Sequence, residues 1–321
     1  SIMKNYLIIL LLFLSVGFSQ QKKTDEPNPM KGIKTKTTSQ YDFKKKFDEF
    51  EGTLIGKKIY KYDSKGNKIE ESYYDSGGNL SEDYGIKMGI STIIYKYDSK
   101  GNKIEESYYD SDGNLTQEVL GTSKIIYKYD SKGNEVEELN YSSDGKLKGK
   151  SILKYDSNGN RVESSWYDSD RSSDRKTIYK YDSNGNTVEH TTYRSDGSIW
   201  SKNIYKYDSN GNTVEDLHYY SNGVPRFHFT YEYDSNGNRV GRSNYHPDGS
   251  LETKFIYKYD SDGNKGEKLT YDSDGSLDFT TTLIYDTNNR EIEQILYEYE
   301  FKFGELQQIL LSKWITEYEE Y

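Results

Sequence analysis

The 321-residue chain contains no cysteine and no alanine. Without thiols there is no disulfide framework, no thiolate nucleophile and no site for a lipid anchor. Alanine is the best helix former, and its absence beside 34 tyrosines argues against a helix bundle and for pleated, half-buried sheet. Basic charge is also short: the formal net charge is -10 and the pI is near 5.1. That balance lacks the electrostatic footprint of a nucleic-acid binder, so no nucleic acid is expected as a partner. No residue set specifies a reaction. The four histidines, His190, His218, His228 and His246, lack zinc-pair spacing, and the glycines sit in turns rather than in a phosphate-binding loop before a helix. No catalytic residue, metal or cofactor is expected.

Long apolar runs are absent apart from Tyr6 to Leu14, which follows Lys4 and precedes the small residues Ser15, Gly17 and Ser19. A bilayer span takes about 20 apolar residues, so this run reads as a secretory signal peptide cleaved after Ser19. Residues 1–19 are therefore assigned to export, and the mature chain to a secreted or cell-surface location with no stable membrane insertion. Residues 20–51 carry Lys22, Lys23, Lys31, Lys34, Lys36 and Lys44 to Lys46 without periodicity, and read as a flexible basic leader.

A repeat fills the remainder. The motif Y-x-Y-D-S-x-G-N starts at Tyr60, Tyr95, Tyr127, Leu153, Tyr179, Tyr205, Tyr231, Tyr257 and Leu283, and the last six intervals are all 26 residues. A second tyrosine follows each start by 14 residues, from Tyr74 to Tyr297, within Y-x-S-D-G-x-L. The longer first two intervals place insertions at Ser81 to Thr92 and Thr116 to Lys124. A fixed period of this size means a stacked array, here nine units over residues 52–304. Each unit offers two strands and two turns such as Asp182 to Asn186 and Arg194 to Ser198, whose glycine suits a left-handed G1 bulge. The expected fold is all-β: an antiparallel meander of about 18 strands, coiled or twisted as a single-layer strip. Residues 305–321 form a terminal cap, read as strand, with an amphipathic helix through Leu306, Leu310 and Trp314 as the alternative.

Turn pairing of Asp182 with Asn186 predicts Tyr181 opposite Thr187, Tyr179 opposite Glu189 and Tyr193 opposite Ile199. On that register Tyr179, Tyr181, Tyr193, Tyr205, Tyr207, Tyr219, Tyr231 and Tyr233 form a structural ladder on one concave face. Their hydroxyls must all find partners.

The recurring Tyr205-Lys206-Tyr207-Asp208-Ser209-Asn210-Gly211-Asn212 resembles the YD repeat, also called the Rhs repeat, while the Y-x-S-D-G-x-L half is similar to MORN-type hairpins. The YD resemblance implies a secreted or cell-surface β strip with roles in carbohydrate binding, adhesion or toxin encapsulation. With only nine units a closed, cargo-holding shell is not expected.

Turns such as Asp110 to Asn114, Asp260 to Asn264 and Asp272 to Ser276 look like half of a calcium loop, but the bidentate Glu is missing and turn chemistry accounts for them. Departures from the repeat mark the candidate ligand-binding residues: Trp166, His190, Trp200, Lys202, His218, Arg226 and His228. The predicted register puts them on the non-tyrosine face, where rings and cations would suit extracellular polysaccharide or a cell-surface protein. The expected function is a non-catalytic binding or adhesion scaffold. The alternative is a structural protein that self-associates end to end through open sheet edges.

Overall fold

The computed structural model describes residues 30–46, 49–82, 89–116, 121–302 and 305–321. The export segment of residues 1–19 lies outside them, as do the tips of both insertions. Every regular element among the described residues is a strand. β1 (Ile33–Lys46) precedes the repeats. Unit 1 supplies β2 (Glu49–Tyr62) and β3 (Lys68–Asp75), unit 2 β4 (Thr92–Tyr97) and β5 (Lys103–Tyr109), and unit 3 β6 (Lys124–Tyr129) and β7 (Glu135–Tyr141). Unit 4 gives β8 (Leu147–Tyr155) and β9 (Arg161–Asp168), unit 5 β10 (Arg175–Tyr181) and β11 (Thr187–Arg194), and unit 6 β12 (Ile199–Tyr207) and β13 (Thr213–Tyr220). Unit 7 gives β14 (Pro225–Tyr233) and β15 (Arg239–Tyr245), unit 8 β16 (Leu251–Tyr259) and β17 (Lys265–Tyr271), and unit 9 β18 (Leu277–Tyr285) and β19 (Glu291–Lys302). β20 (Glu305–Glu320) ends the chain.

Each strand pairs antiparallel with the next, and β1 pairs with both β2 and β20. The sheet is therefore a closed up-and-down barrel of 20 strands, not the open strip expected from the repeat count. The 18 repeat strands are as predicted. The two that close the ring come from segments read differently. Residues 33–46 and 49–51, taken as part of a flexible basic leader, are β1 and the start of β2, because an unpaired edge on each side of the repeats offers a full row of backbone partners. The terminal segment is the strand expected and not the alternative helix, but instead of capping an open end β20 pairs Thr316 with Thr38 and Trp314 with Gln40, completing the ring.

The wall is one layer thick. The accessible surface is 20295 Å², against about 13,700 Å² for a compact chain of this mass. Twenty strands about 4.8 Å apart enclose a ring roughly 30 Å across, wider if the strands tilt. Among the described residues, the strands pack against their neighbours in the ring.

The turns form as predicted. Asp182 N–H donates to Asn186 O, Gly185 N–H to Asp182 O, and Gly185 has φ 85°. The Asp182 carboxylate accepts from the Asn184 and Asn186 amides, and those of Asp110 and Asp260 are engaged in the same way. Beyond the turn the register departs from expectation. Tyr181 does oppose Thr187, but Lys180 opposes Glu189 and Tyr179 opposes His190, because Val188 is an extra, bulged residue. One inserted residue inverts the faces of everything after it in the strand. Tyr193 and Tyr219 therefore leave the ladder for the opposite face, where they pair across strands with Lys176 and Lys202. Tyr179, Tyr181, Tyr205, Tyr207, Tyr231 and Tyr233 stay together.

The bulge also explains the second tyrosine of Y-x-Y-D. Tyr207 Oη donates to the carbonyl of Thr187 at 2.6 Å, the residue just before bulged Val188. The same bond recurs around the barrel, including Tyr97 to Lys68 O at 2.8 Å, Tyr181 to Arg161 O at 2.7 Å and Tyr259 to Arg239 O at 2.9 Å. Each hydroxyl supplies a donor to a carbonyl where the ladder is interrupted.

This tyrosine face is the inner one. Its charged side chains are crowded, with Glu71 8% and Lys58 23% exposed. On the other face Lys180, Lys206 and Lys258 are 60–63% exposed.

Candidate functional site

Five of the seven candidate residues share the inner face, contrary to their predicted placement on the non-tyrosine face. Trp166 is the cross-strand partner of Arg175 and of Ser151, and lies so close over Gly149 that a Cβ there would meet its ring at 2.6 Å. Trp200 is itself a bulged residue, opposite Thr192 together with Ser201. The Arg175 guanidinium lies 4.0 Å from the centre of its ring. Arg226 occupies the equivalent bulge in unit 7, against Tyr220 and Phe227.

His190 sits between Tyr179 and Tyr205, with ring centres 5.6 and 5.7 Å away. Burial, reinforced by nearby His218, pushes its pKa down to about 4, so the imidazole is neutral at pH 7. His218 Nδ1 accepts from Asn203 Nδ2 at 2.6 Å, its Nε2 lies 3.0 Å from the Asp216 carboxylate, and Phe227 and Phe229 meet it edge-on. Aromatic, imidazole and guanidinium groups thus form a continuous inner patch across units 4 to 7.

The other two candidates are outside it. Lys202 pairs on the outer face with Glu189 at 2.8 Å, on the opposite side of the wall from His218. His228 stacks on Tyr245 with centres 4.9 Å apart and contacts Glu215 at 2.9 Å. An open depression on the outer wall runs past Tyr167, Ile178 and Tyr193.

Reading the sequence missed a second inner cluster, at positions eight and eleven residues after each unit's start. In unit 1 these are Lys68 and Glu71, in unit 2 Lys103 and Glu106. Burial disfavours the Glu71 carboxylate, but hydrogen bonds from Lys58, Lys68 and Tyr73 outweigh it and hold the pKa at about 2. In units 7 and 8 the same positions are Arg239 with Arg242 and Lys265 with Lys268. Among the described residues none of these four pairs with a carboxylate. Burial, then the neighbouring Arg239, lowers the Lys265 pKa; burial, Arg242 and Lys265 lower that of Lys268. The signal was the change of residue type at a fixed repeat offset, hidden because the predicted register left the eleventh position on the other face, away from the eighth.

No protein-family profile matches the chain, and no curated protein matches it. Solved structures align with it at low identity and low TM-score. A porin-like protein from Bacteroides uniformis aligns with a TM-score of 0.38 and 11% identity, over 92% of this chain and all of that one. The Photorhabdus luminescens Tc holotoxin pore aligns at 0.29 and 11%, covering 84% of this chain and 18% of that chain. A TcdB2-TccC3 crystal structure aligns at 0.32 and 14%, covering 84% and 16%. The chain thus spans about a sixth of the two toxin chains it aligns with.

Proposed function

We propose that this is an exported, non-catalytic binding scaffold of the YD-repeat type whose ligand, a carbohydrate, is held on the inner wall of the barrel. The observation that carries the reading is the convergence of Trp166, Arg175, Trp200, His190, His218 and Arg226 on one concave face. Flat rings stack on sugar rings, and fixed cations and hydrogen-bonding groups beside them supply orientation. The seven full and two looser recurrences of Y-x-Y-D-S-x-G-N support the family reading, and the segment before Gln20 supports export.

The barrel stands in water on this reading. A lipid-facing wall needs an apolar outer band about 25 Å tall. Here rows of ion pairs cross the outer face, including Lys96 with Glu105 at 2.7 Å, Lys154 with Glu163 at 2.8 Å and Lys180 with Glu189 at 2.8 Å. The self-associating alternative loses its mechanism, since pairing of β1 with β20 leaves no sheet edge to extend.

A glycan array with the full chain tests the proposal. Replacing both Trp166 and Trp200 with Ala should weaken binding by at least roughly tenfold, about 1.4 kcal/mol, without loss of β-sheet circular dichroism. Unchanged binding would move the site off the inner patch, and no binding to any glycan would end the carbohydrate reading.

A further inference from the structure

Taking the inner wall as a carbohydrate site, we infer that strands β14 to β17 form an anion-reading lattice and that the ligand is an acidic polysaccharide, carboxylated or sulfated. Four cations and four rings alternate there in two rows. Nearer the Y-D-S-x-G-N turns, Arg239 lies 5.5 Å from the Tyr231 ring centre and 5.4 Å from that of Tyr257, which Lys265 flanks at 4.5 Å. In the second row Arg242 lies 4.5 Å from Phe229 and 5.7 Å from Phe255, which Lys268 flanks at 4.6 Å.

Nothing else in the fold explains so many like charges on one face. The same two positions hold Lys and Glu in units 1 and 2, where the charges cancel. On the reverse side of the same strands Lys258 pairs with Glu267. Arg242 Nε is buried with no hydrogen-bond partner on the chain. Cations on β15 and β17 are two strand spacings apart, about 10 Å, and those on one strand are about 7 Å apart. A grid of that size suits several anionic groups on one polymer better than a single small anion. The rings themselves argue against a single-stranded nucleic acid as that polymer. Tyr257 and Phe255 each have a cation on both sides and offer no open face for the base stacking on which such binding depends.

The test is titration calorimetry on the full chain with four probes of similar length: a heparin-derived octasaccharide, an oligogalacturonate, a maltooligosaccharide and an oligothymidylate. At least one acidic oligosaccharide should bind, and more weakly at high salt. The double variant Arg242→Gln/Lys268→Gln should lose at least roughly tenfold in affinity, while the outer-face double variant Lys206→Gln/Lys258→Gln keeps wild-type affinity. Thermal melts check that both remain folded, and Lys268→Arg, which keeps the charge, should bind as wild type does. Undiminished binding by the inner double variant, or tighter binding of the oligothymidylate, overturns the proposal. If only the maltooligosaccharide binds, the anion reading fails and the carbohydrate reading survives; if no oligosaccharide binds, both fail.

Discussion

Units 1 and 2 and units 7 and 8 are built on one hairpin, with the same turns, bulge and tyrosine hydroxyl bond, yet they solve opposite problems on the inner face. In the first pair Glu71 and Glu106 each draw in a lysine and a tyrosine hydroxyl. The described arms of the insertions add cover: Ile90 is fully buried and packs with Tyr73, Ile93 and Tyr108 into a small core. In units 7 and 8 there is no such insertion, and among the described residues the four cations pair with no carboxylate and are separated by rings. The repeat fixes the backbone, then, while two positions per unit decide whether a sector is closed and self-satisfied or open to a ligand.

The largest effect should come from breaking the closed sector. Glu71→Ala leaves Lys58 and Lys68 half-buried without their partner and should lower stability by about 3 kcal/mol in urea melts. A loss below about 1 kcal/mol would mean that the network is as solvated as a surface pair.

Unit 5 lies between the two sectors and carries His190 at the same offset, so acid should convert it from one type to the other. An unfolded histidine protonates near pH 6.5 and the folded one only near 4. The unfolded state therefore binds the proton first as pH falls, and the stability present above pH 6.5 is lost progressively down to about pH 4. Denaturation across that window should cost the wild type on the order of 2 kcal/mol more than His190→Gln. Parallel pH profiles would show that Tyr179 and Tyr205 do not exclude water from the ring.

The tyrosine hydroxyl bond is common to both sectors, so Tyr97→Phe and Tyr259→Phe should each cost about 1 kcal/mol by removing a donor from an interrupted carbonyl. Unequal losses would assign part of the bond's worth to the local charge. Smallest of all should be Lys268→Met, within about 0.5 kcal/mol, since relief of repulsion from Arg242 and Lys265 offsets the lost contact with Phe255. A loss comparable to that of Glu71→Ala would mean that the cations serve the fold.

How far the sequence could be read follows from what each residue signals. The Asp, Gly and Asn of each turn have backbone requirements visible in one dimension, so the 18 repeat strands and their turn pairing were legible. Val188 and Trp200 are bulged, but a β-branched or aromatic residue suits a regular strand equally well, and nothing marks the slip that turns Tyr193 outward and His190 inward. β1 was illegible for another reason. Its Lys and Thr residues have no pattern strong enough to form a strand alone, and one of its two partners, β20, is separated from it in sequence by the whole array.

That separation has a kinetic consequence. Thr38 Oγ1 lies 3.1 Å from Thr316 Oγ1 although 278 residues intervene. Bringing the ends of a flexible chain that long together costs about 5 kcal/mol beyond a constant. The ring is therefore expected to close last, after the hairpins between have stacked and their curvature has delivered the two ends to each other. Until that moment every molecule displays two bare strands, and at high concentration the β1 of one chain can find the β20 of another first. Refolding yield should then depend on dilution in a way that the closed ring, once formed, does not betray.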